Sequence, residues 1–212
     1  MANLSMAMRL LAATAVAALL AVAPAAAQRP QLGAPAAKPP EPPKDLPRVG
    51  GDKTKNLDFL FGALKVAPDE ASAKHVEARI WAIWSSTPSD TAALLMARAS
   101  AAIEAKQLDV ALKLLDAVVK LRPDYIEGWN RRATVHYFKN DYVHALQDIR
   151  QVLAREPRHF GALAGLGMIM QEYGDDKRAL AAFRLALALN PRLEKVPDLV
   201  KALAEKVEGR DI

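Results

Sequence analysis

The side chains with the most evident binding chemistry lie close together in one predicted helix. Asn130 offers an amide donor and an amide acceptor to a peptide main chain, and Arg131 can pair with a carboxylate. Tyr137 adds a flat ring with a hydroxyl group. These groups recognise ligands through hydrogen bonds and ion pairs. The alternative interpretation is that they are solvated side chains on an exposed helix.

The sequence offers little for catalysis or metal binding. It contains no Gly-rich phosphate loop, no Gly-x-Ser-x-Gly elbow and no carboxylate pair in an evident cleft. Its four histidines, His75, His136, His144 and His159, show no HExxH or other ligand spacing. His136 falls in a packing column, where a core histidine is expected. We predict a protein that is not an enzyme and that needs no cofactor and no metal.

The elements that carry these residues are predicted helices in a tandem repeat. From Asn56 onward no run alternates between apolar and polar residues, which predicts an all-α fold. Residues of matching type recur 34 positions apart, which is the signature of a repeat architecture. The period predicts units 92–125, 126–159 and 160–193. The matching columns include Ala111, Ala145 and Ala179; Leu115, Ile149 and Phe183; Val118, Val152 and Ala186; Pro123, Pro157 and Pro191; and Ala99, Ala133 and Gly167.

Each unit is predicted to be a helical hairpin. Small residues in both helices allow the two backbones to approach, and large apolar residues fill the space on either side. Lys106, Asn140 and Gly174 fall in the turns, where Gly and Asn suit a left-handed conformation and Lys fits poorly. The prolines end each second helix, because proline cannot continue one.

Two flanking segments complete the predicted array. Residues 53–91 form a divergent helix pair, a possible degenerate repeat, that we expect to pack on the first unit. Residues 194–212 form a capping helix and tail, with Leu199, Leu203 and Val207 facing the array.

The columns resemble the tetratricopeptide repeat (TPR), and the resemblance covers about 102 of the 212 residues. It implies a right-handed solenoid of three TPR units, with a concave face formed by the first helix of each hairpin that holds a protein or peptide partner. The inward-facing candidates are Ala93, Met96, Ser100, Ile103, Glu127, Asn130, Arg131, Thr134, Tyr137, Phe138, Ala164, Met168, Gln171 and Glu172. Eight of these are the predicted binding residues: Met96, Ser100, Asn130, Arg131, Thr134, Tyr137, Met168 and Gln171.

The same resemblance argues against recognition of an acidic chaperone tail. Chaperone-binding members carry a clamp of Lys, Asn and Arg on three successive first helices. The corresponding places here hold Met96, Ser100, Arg131, Gly161 and Gly165. The methionines favour a softer groove for an apolar helix or strand. Gly161 and Gly165 either let a partner backbone approach closely or merely loosen their helix.

The N-terminal region predicts export. Arg9, the apolar run 10–22 and the small residues Ala25 and Ala27 are typical of a signal peptide over residues 1–27, cleaved before Gln28. Residues 28–52 are rich in proline and predict an extended linker. We therefore expect a periplasmic or secreted protein without a stable membrane span after cleavage.

The charge does not point to nucleic acid. The formal net charge is +5, and removing residues 1–27 removes one Arg and no acidic residue, leaving +4. Lys and Arg are interspersed with Asp and Glu, which is typical of a solvated surface. We predict a scaffold or adaptor for an envelope protein. Two alternatives remain open, an accessory subunit of an envelope enzyme and a self-assembling structural protein.

Overall fold

A computed structural model describes residues 53–209, and all the regular structure in that range is helical. Successive helices pack as antiparallel pairs, so the predicted all-α fold is confirmed. The predicted signal peptide, the linker to residue 52 and residues 210–212 of the tail lie outside the described residues. The nine helices of the described range are α1 (Lys53–Lys65), α2 (Glu70–Ser85), α3 (Asp90–Glu104), α4 (Leu108–Leu121), α5 (Ile126–Phe138), α6 (Tyr142–Arg155), α7 (Phe160–Glu172), α8 (Asp176–Leu189) and α9 (Val196–Val207).

Side-chain caps and prolines set the helix ends. The carboxylates of Asp69, Asp141 and Asp175 accept hydrogen bonds from the first turns of α2, α6 and α8. Caps of this kind contribute about 1 kcal/mol each. Helices α4, α6 and α8 each end two residues before a proline. No helix in the described part of the chain combines the length and the apolar character needed to cross a membrane.

The three hairpins α3–α4, α5–α6 and α7–α8 turn on one left-handed residue each. The φ angles are 57° at Lys106, 58° at Asn140 and 72° at Gly174. Glycine adopts this conformation without cost, whereas a residue with a Cβ pays about 1–2 kcal/mol. Lys106 therefore strains the first turn, as its residue type suggests.

Small residues let the paired helices approach. Ala99 and Ala111 are almost fully buried in the first hairpin, as are Ala133 and Ala145 in the second. In the third hairpin, a Cβ added at Gly167 would lie 2.6 Å from the ring of Phe183. That separation is far inside van der Waals contact, so packing requires the glycine.

The N-terminal pair α1–α2 packs on a different surface from the one predicted. Its apolar stripe, with Phe61 and Leu64, is buried as expected, but it meets Phe160, Leu163 and Ala186 of α7 and α8. The pair is expected to pack on the first unit, but its apolar stripe packs on the third, and it meets the first unit at Tyr125. Helical periodicity reveals an apolar stripe without showing which surface covers it.

Polar contacts hold the same pair against the connections that follow α4 and α8. The hydroxyl of Tyr125 donates to the carbonyl oxygen of Ser85 over 2.8 Å, between residues 40 positions apart. Asn190 Nδ2 donates to Glu77 Oε2 over 2.9 Å, between residues 113 positions apart. The pair is thus an integral part of the helical array.

The predicted capping helix is α9. Leu203 is buried against α8, and Leu199 and Val207 pack at the edge of the same cluster. Arg184 of α8 forms two hydrogen bonds, of 2.6 and 2.8 Å, with the carboxylate of Glu208. These contacts cover the apolar face that the last hairpin would otherwise expose.

Candidate peptide-binding groove

An open groove of about 270 Å³ separates α5 from α7, the first helices of the second and third hairpins. Its walls come from both helices, and its floor includes Ile149 of α6. We call it the α5–α7 groove. Its lining residues are Asn130, Ala133, Thr134, Tyr137, Phe138, Ile149, Gly161, Ala162, Ala164, Gly165, Met168 and Ile169.

The walls of the α5–α7 groove carry large apolar side chains that face solvent. Phe138 is 54% exposed and Met168 is 39% exposed. On α7 the lining also includes the small residues Ala164 and Gly165. A partner could therefore bury apolar area on the walls while its backbone approaches α7 closely.

Polar groups in the groove are already oriented. Asn130 Nδ2 donates to the two carboxylate oxygens of Glu127 at 3.2 and 3.3 Å, and the Asn130 side-chain oxygen bonds to none of the described residues. Thr134 Oγ1 donates to the Asn130 carbonyl over 3.0 Å. These bonds leave the Asn130 amide oxygen as an acceptor for a main-chain N–H.

Tyr137 contributes a hydroxyl held across the groove. Its Oη donates to Glu172 Oε1 over 3.3 Å, which links α5 to α7. Burial raises the pKa of Tyr137, and the Glu172 carboxylate raises it further. The ring therefore stays neutral at physiological pH.

One end of the groove rests on a buried polar pair. Glu127 is only 1% exposed, and its Oε1 lies 2.9 Å from Nε2 of the fully buried His159. His159 Nδ1 accepts a hydrogen bond from the Ala162 N–H, so Nε2 carries the proton that Glu127 accepts. The imidazole also stacks on Trp84 of α2 at a centroid distance of 4.1 Å. Helices α2, α5 and α7 are thus all in contact with His159. Because Glu127 is buried in this contact, its predicted place on the inward face is wrong.

The structure brings four of the eight predicted binding residues together. Asn130, Thr134, Tyr137 and Met168 line the α5–α7 groove, whereas Arg131, Gln171, Met96 and Ser100 are not among its lining residues. Arg131 Nε lies 3.7 Å from Glu127 Oε2, and this contact draws the guanidinium to the helix's own first turn.

Two positions show what the sequence could not resolve. The repeat register places Met96 on the inward face, but its side chain packs against the cluster containing Ala99 and Val135. Ile149 belongs to a packing column, yet its side chain reaches through to the floor of the groove. The repeat register predicts which face of a helix a residue lies on. It does not predict how much of that face the neighbouring helices bury.

The two glycines left open by the sequence have different surroundings. A Cβ at Gly161 would lie 2.8 Å from Trp81 Cη2, so the close approach there serves α2. A Cβ at Gly165 would meet only Ile149 Cδ1, at an ordinary 3.6 Å. Gly165 therefore widens the groove without being required for packing.

Two histidines lie near one carboxylate at the turn after α5. As expected for a core histidine with a polar partner, His136 is largely buried, and its Nδ1 faces Asp141 Oδ2 at 3.1 Å. Nδ1 of His144 faces the same carboxylate. The sequence did not predict this cluster, because its members do not follow a familiar ligand spacing. The turn between α5 and α6 brings them together.

Comparison with known proteins decides the family. The chain is 40% identical over 155 residues to a TPR repeat-containing protein of Rhizobium etli, a match that covers 73% of this chain and 76% of the relative. The chain belongs to the TPR repeat-containing proteins. No protein-family model matches the chain. The resemblance identified from the 34-residue columns is thus confirmed at the level of the family.

Several solved structures share the fold. The first TPR domain of Spaghetti (RPAP3) bound to an HSP90 peptide superposes with a TM-score of 0.54 at 14% identity, covering 57% of this chain and 97% of that one. The Yersinia enterocolitica type III secretion chaperone SycD, in complex with a peptide of the translocator YopD, gives 0.53 at 15% identity, covering 56% and 95%. MamA gives 0.53 at 15% identity over 74% of this chain and 82% of its own.

Proposed function

We propose that this TPR protein is an exported adaptor that binds an apolar helix or strand of a protein partner in the α5–α7 groove. One observation carries the proposal. Phe138 and Met168 stand exposed on the walls of a concave surface whose floor is apolar and whose polar groups are oriented. Such an arrangement combines buried apolar area with hydrogen bonds to a main chain.

Two structural neighbours support the peptide-binding part of the proposal. The Spaghetti (RPAP3) domain and SycD are both described with bound peptides. The lining of the α5–α7 groove contains no Lys, Arg, Asp or Glu. An acidic peptide would therefore find no cation in the groove, whereas an apolar segment would find Phe138, Met168 and Ile149.

Export is the second part of the proposal and rests on the sequence of residues 1–27. Mass spectrometry of the N-terminal peptide, in protein recovered from its own host, tests it. We expect a mature chain beginning at Gln28 in the envelope or secreted fraction. An intact N-terminal region in cytoplasmic protein would contradict export and leave the groove proposal untouched.

Site-specific photo-crosslinking tests the groove. A photoreactive side chain replaces Thr134, which is exposed and lines the groove, and a matched variant carries it at the exposed Lys113 of α4. Full-length protein in its own host should give one dominant protein adduct from Thr134 and none from Lys113.

The other possible outcomes of the crosslinking distinguish the alternative functions from one another. Equal labelling at both positions would contradict a groove-specific partner. Adducts of the chain with itself would favour a self-assembling structural protein. If the captured partner is an envelope enzyme whose activity depends on this chain, the role is that of an accessory subunit, still acting through the groove.

A further inference from the structure

Two imidazoles and one carboxylate converge at the turn between α5 and α6. His136 Nδ1 lies 3.1 Å from Asp141 Oδ2, and His144 Nδ1 lies 2.7 Å from the same oxygen. The two rings stack, with centroids 5.2 Å apart and planes inclined by 24°. The three ligand atoms all lie within 4.8 Å of one another. We call these three residues the turn cluster.

The local backbone explains why the turn cluster forms. Asn140 adopts the left-handed conformation that ends α5 and sends the chain into α6. Asp141 then caps α6, with Oδ1 accepting from the His144 N–H over 3.3 Å. Capping engages one carboxylate oxygen, so Oδ2 is directed towards the two imidazoles. Asp141 can therefore cap α6 and face both imidazoles at the same time.

The neighbouring hairpins show which part of this arrangement is ordinary for the fold. The same three places hold Ala102, Gln107 and Val110 in the first hairpin and Met170, Asp175 and Arg178 in the third. In the third hairpin Asp175 also caps its helix and pairs with Arg178 at 2.6 Å. A capping aspartate with a partner three residues on is thus a general feature. The second hairpin differs by placing an imidazole where the other two hold Ala and Met.

We propose that His136, Asp141 and His144 bind a divalent transition-metal ion, zinc in the first instance. Imidazole nitrogen and carboxylate oxygen are the ligands that such ions select in proteins. The side chain of His136 is 13% exposed, that of Asp141 35% and that of His144 59%, so solvent reaches the cluster. The three residues supply three ligands, and water completes the coordination.

Zinc binding requires a local adjustment of the turn cluster. Bonds of about 2.0–2.1 Å in a tetrahedral zinc site place ligand atoms about 3.3 Å apart. The separations of 2.7 and 3.1 Å from Asp141 must open by about 0.6 and 0.2 Å, and the two Nδ1 atoms, which lie within 4.8 Å of each other, must settle at about the same ligand spacing. Rotation of the exposed His144 ring can supply this movement. Each imidazole then carries its proton on Nε2 and offers Nδ1 to the ion.

Isothermal titration calorimetry of the purified full-length chain, produced without a polyhistidine tag, tests this with zinc chloride as the probe. We expect one equivalent to bind, with a Kd below about 100 μM. His144→Ala removes an exposed ligand with little effect on folding. Asp141→Asn removes the carboxylate yet keeps a good helix cap. Each change should weaken zinc binding by about tenfold or more.

His75→Ala is the matched control, because it removes an exposed histidine on α2, away from the turn. It should leave the zinc affinity unchanged. Cobalt should give the visible absorption of a tetrahedral site with the unaltered chain and not with His144→Ala. The proposal is overturned if no zinc binds in this range, if the two cluster variants bind like the unaltered chain, or if His75→Ala loses as much affinity as they do. The groove proposal does not depend on the result.

Discussion

Two glycines of α7, two positions apart, lie in opposite environments. Gly165 opens onto the α5–α7 groove, and Gly167 faces the fully buried ring of Phe183. Both reduce the helix propensity of α7 by about 1 kcal/mol relative to alanine. Because a Cβ fits at Gly165 and not at Gly167, the two positions separate helix propensity from packing.

We expect Gly165→Ala to stabilise the protein by about 0.5–1 kcal/mol, because it gains helix propensity without a clash. Gly167→Ala should destabilise it by about 1–3 kcal/mol, because the new methyl group overpacks the Phe183 site. Urea unfolding followed by circular dichroism measures both free energies. If the two changes shift stability in the same direction by the same amount, the packing assigned to Gly167 is wrong.

Tyr125 is expected to make the free energy of unfolding fall at alkaline pH. Burial raises the pKa of Tyr125 to about 12, and the neighbouring Glu127 carboxylate contributes. In the unfolded chain the phenol ionises near pH 10. Above that pH the unfolded state loses the proton while the folded state keeps it, so the stabilising effect is complete below pH 10 and is lost as the pH rises towards 12.

The expected loss between pH 10 and 12 is about 2–3 kcal/mol, and Tyr125→Phe should abolish that part of the pH dependence. The phenylalanine variant also lacks the hydrogen bond to Ser85, so it should be less stable by about 1 kcal/mol at neutral pH. Urea unfolding at pH 8, 10, 11 and 12 provides the comparison. Parallel losses in both proteins would show that Tyr125 is not the group responsible.

Residue types predicted some of these environments and not others. Gly167 fell in a small-residue column, and its packing role followed from that position. Glu127 was placed on the inward face because its register matched. The structure buries it instead, since Asn130 of the same helix and the distant His159 both supply hydrogen-bond partners. Pairing across 32 positions is not visible in a local pattern.

At the scale of elements, the three hairpins share one turn geometry but differ in how well their residues suit it. The left-handed position holds Gly174 in the third hairpin, Asn140 in the second and Lys106 in the first. Lys106 is exposed, so its side chain does not hold it there through burial. The first hairpin therefore contains strain that a single substitution can relieve.

Lys106→Gly should stabilise the protein by up to about 1 kcal/mol, because glycine adopts a φ of 57° freely. Lys106→Ala is the control, since it removes the charge and keeps the Cβ, and it should leave stability nearly unchanged. The urea midpoint at a constant m-value reports the difference. An equal gain in both variants would assign the effect to charge rather than to backbone conformation.

The N-terminal pair shows the limit of element prediction. Its helices and apolar stripe followed from periodicity, but its packing partners did not. Contacts such as Trp84 on His159 and Asn190 on Glu77 join residues that are far apart in sequence. An apolar stripe can pack on any apolar surface of similar width. Where this one packs therefore depends on the arrangement of the complete array.

At the scale of the whole molecule, the 34-residue period was sufficient to predict an all-α TPR array closed by a capping helix. The α5–α7 groove depends on more than that period. The residue types at Gly165, Phe138 and Met168 indicate a groove with one small position and two exposed apolar side chains. The contribution of Ile149 to the floor is seen only when the hairpins are packed together. The central claim is that this groove, rather than another apolar patch, holds a partner.

A matched pair of charge substitutions tests that claim most directly. Met168→Glu places a carboxylate in the groove, and Leu185→Glu places one on α8 at a side chain that is 57% exposed and does not line the groove. The measurement is the yield of the partner adduct crosslinked from Thr134 in cells. We expect Met168→Glu to reduce the yield by about tenfold, because a charge buried against an apolar partner is costly. Leu185→Glu should leave the yield unchanged, and a yield that falls equally in both variants, or in neither, would contradict binding in the α5–α7 groove.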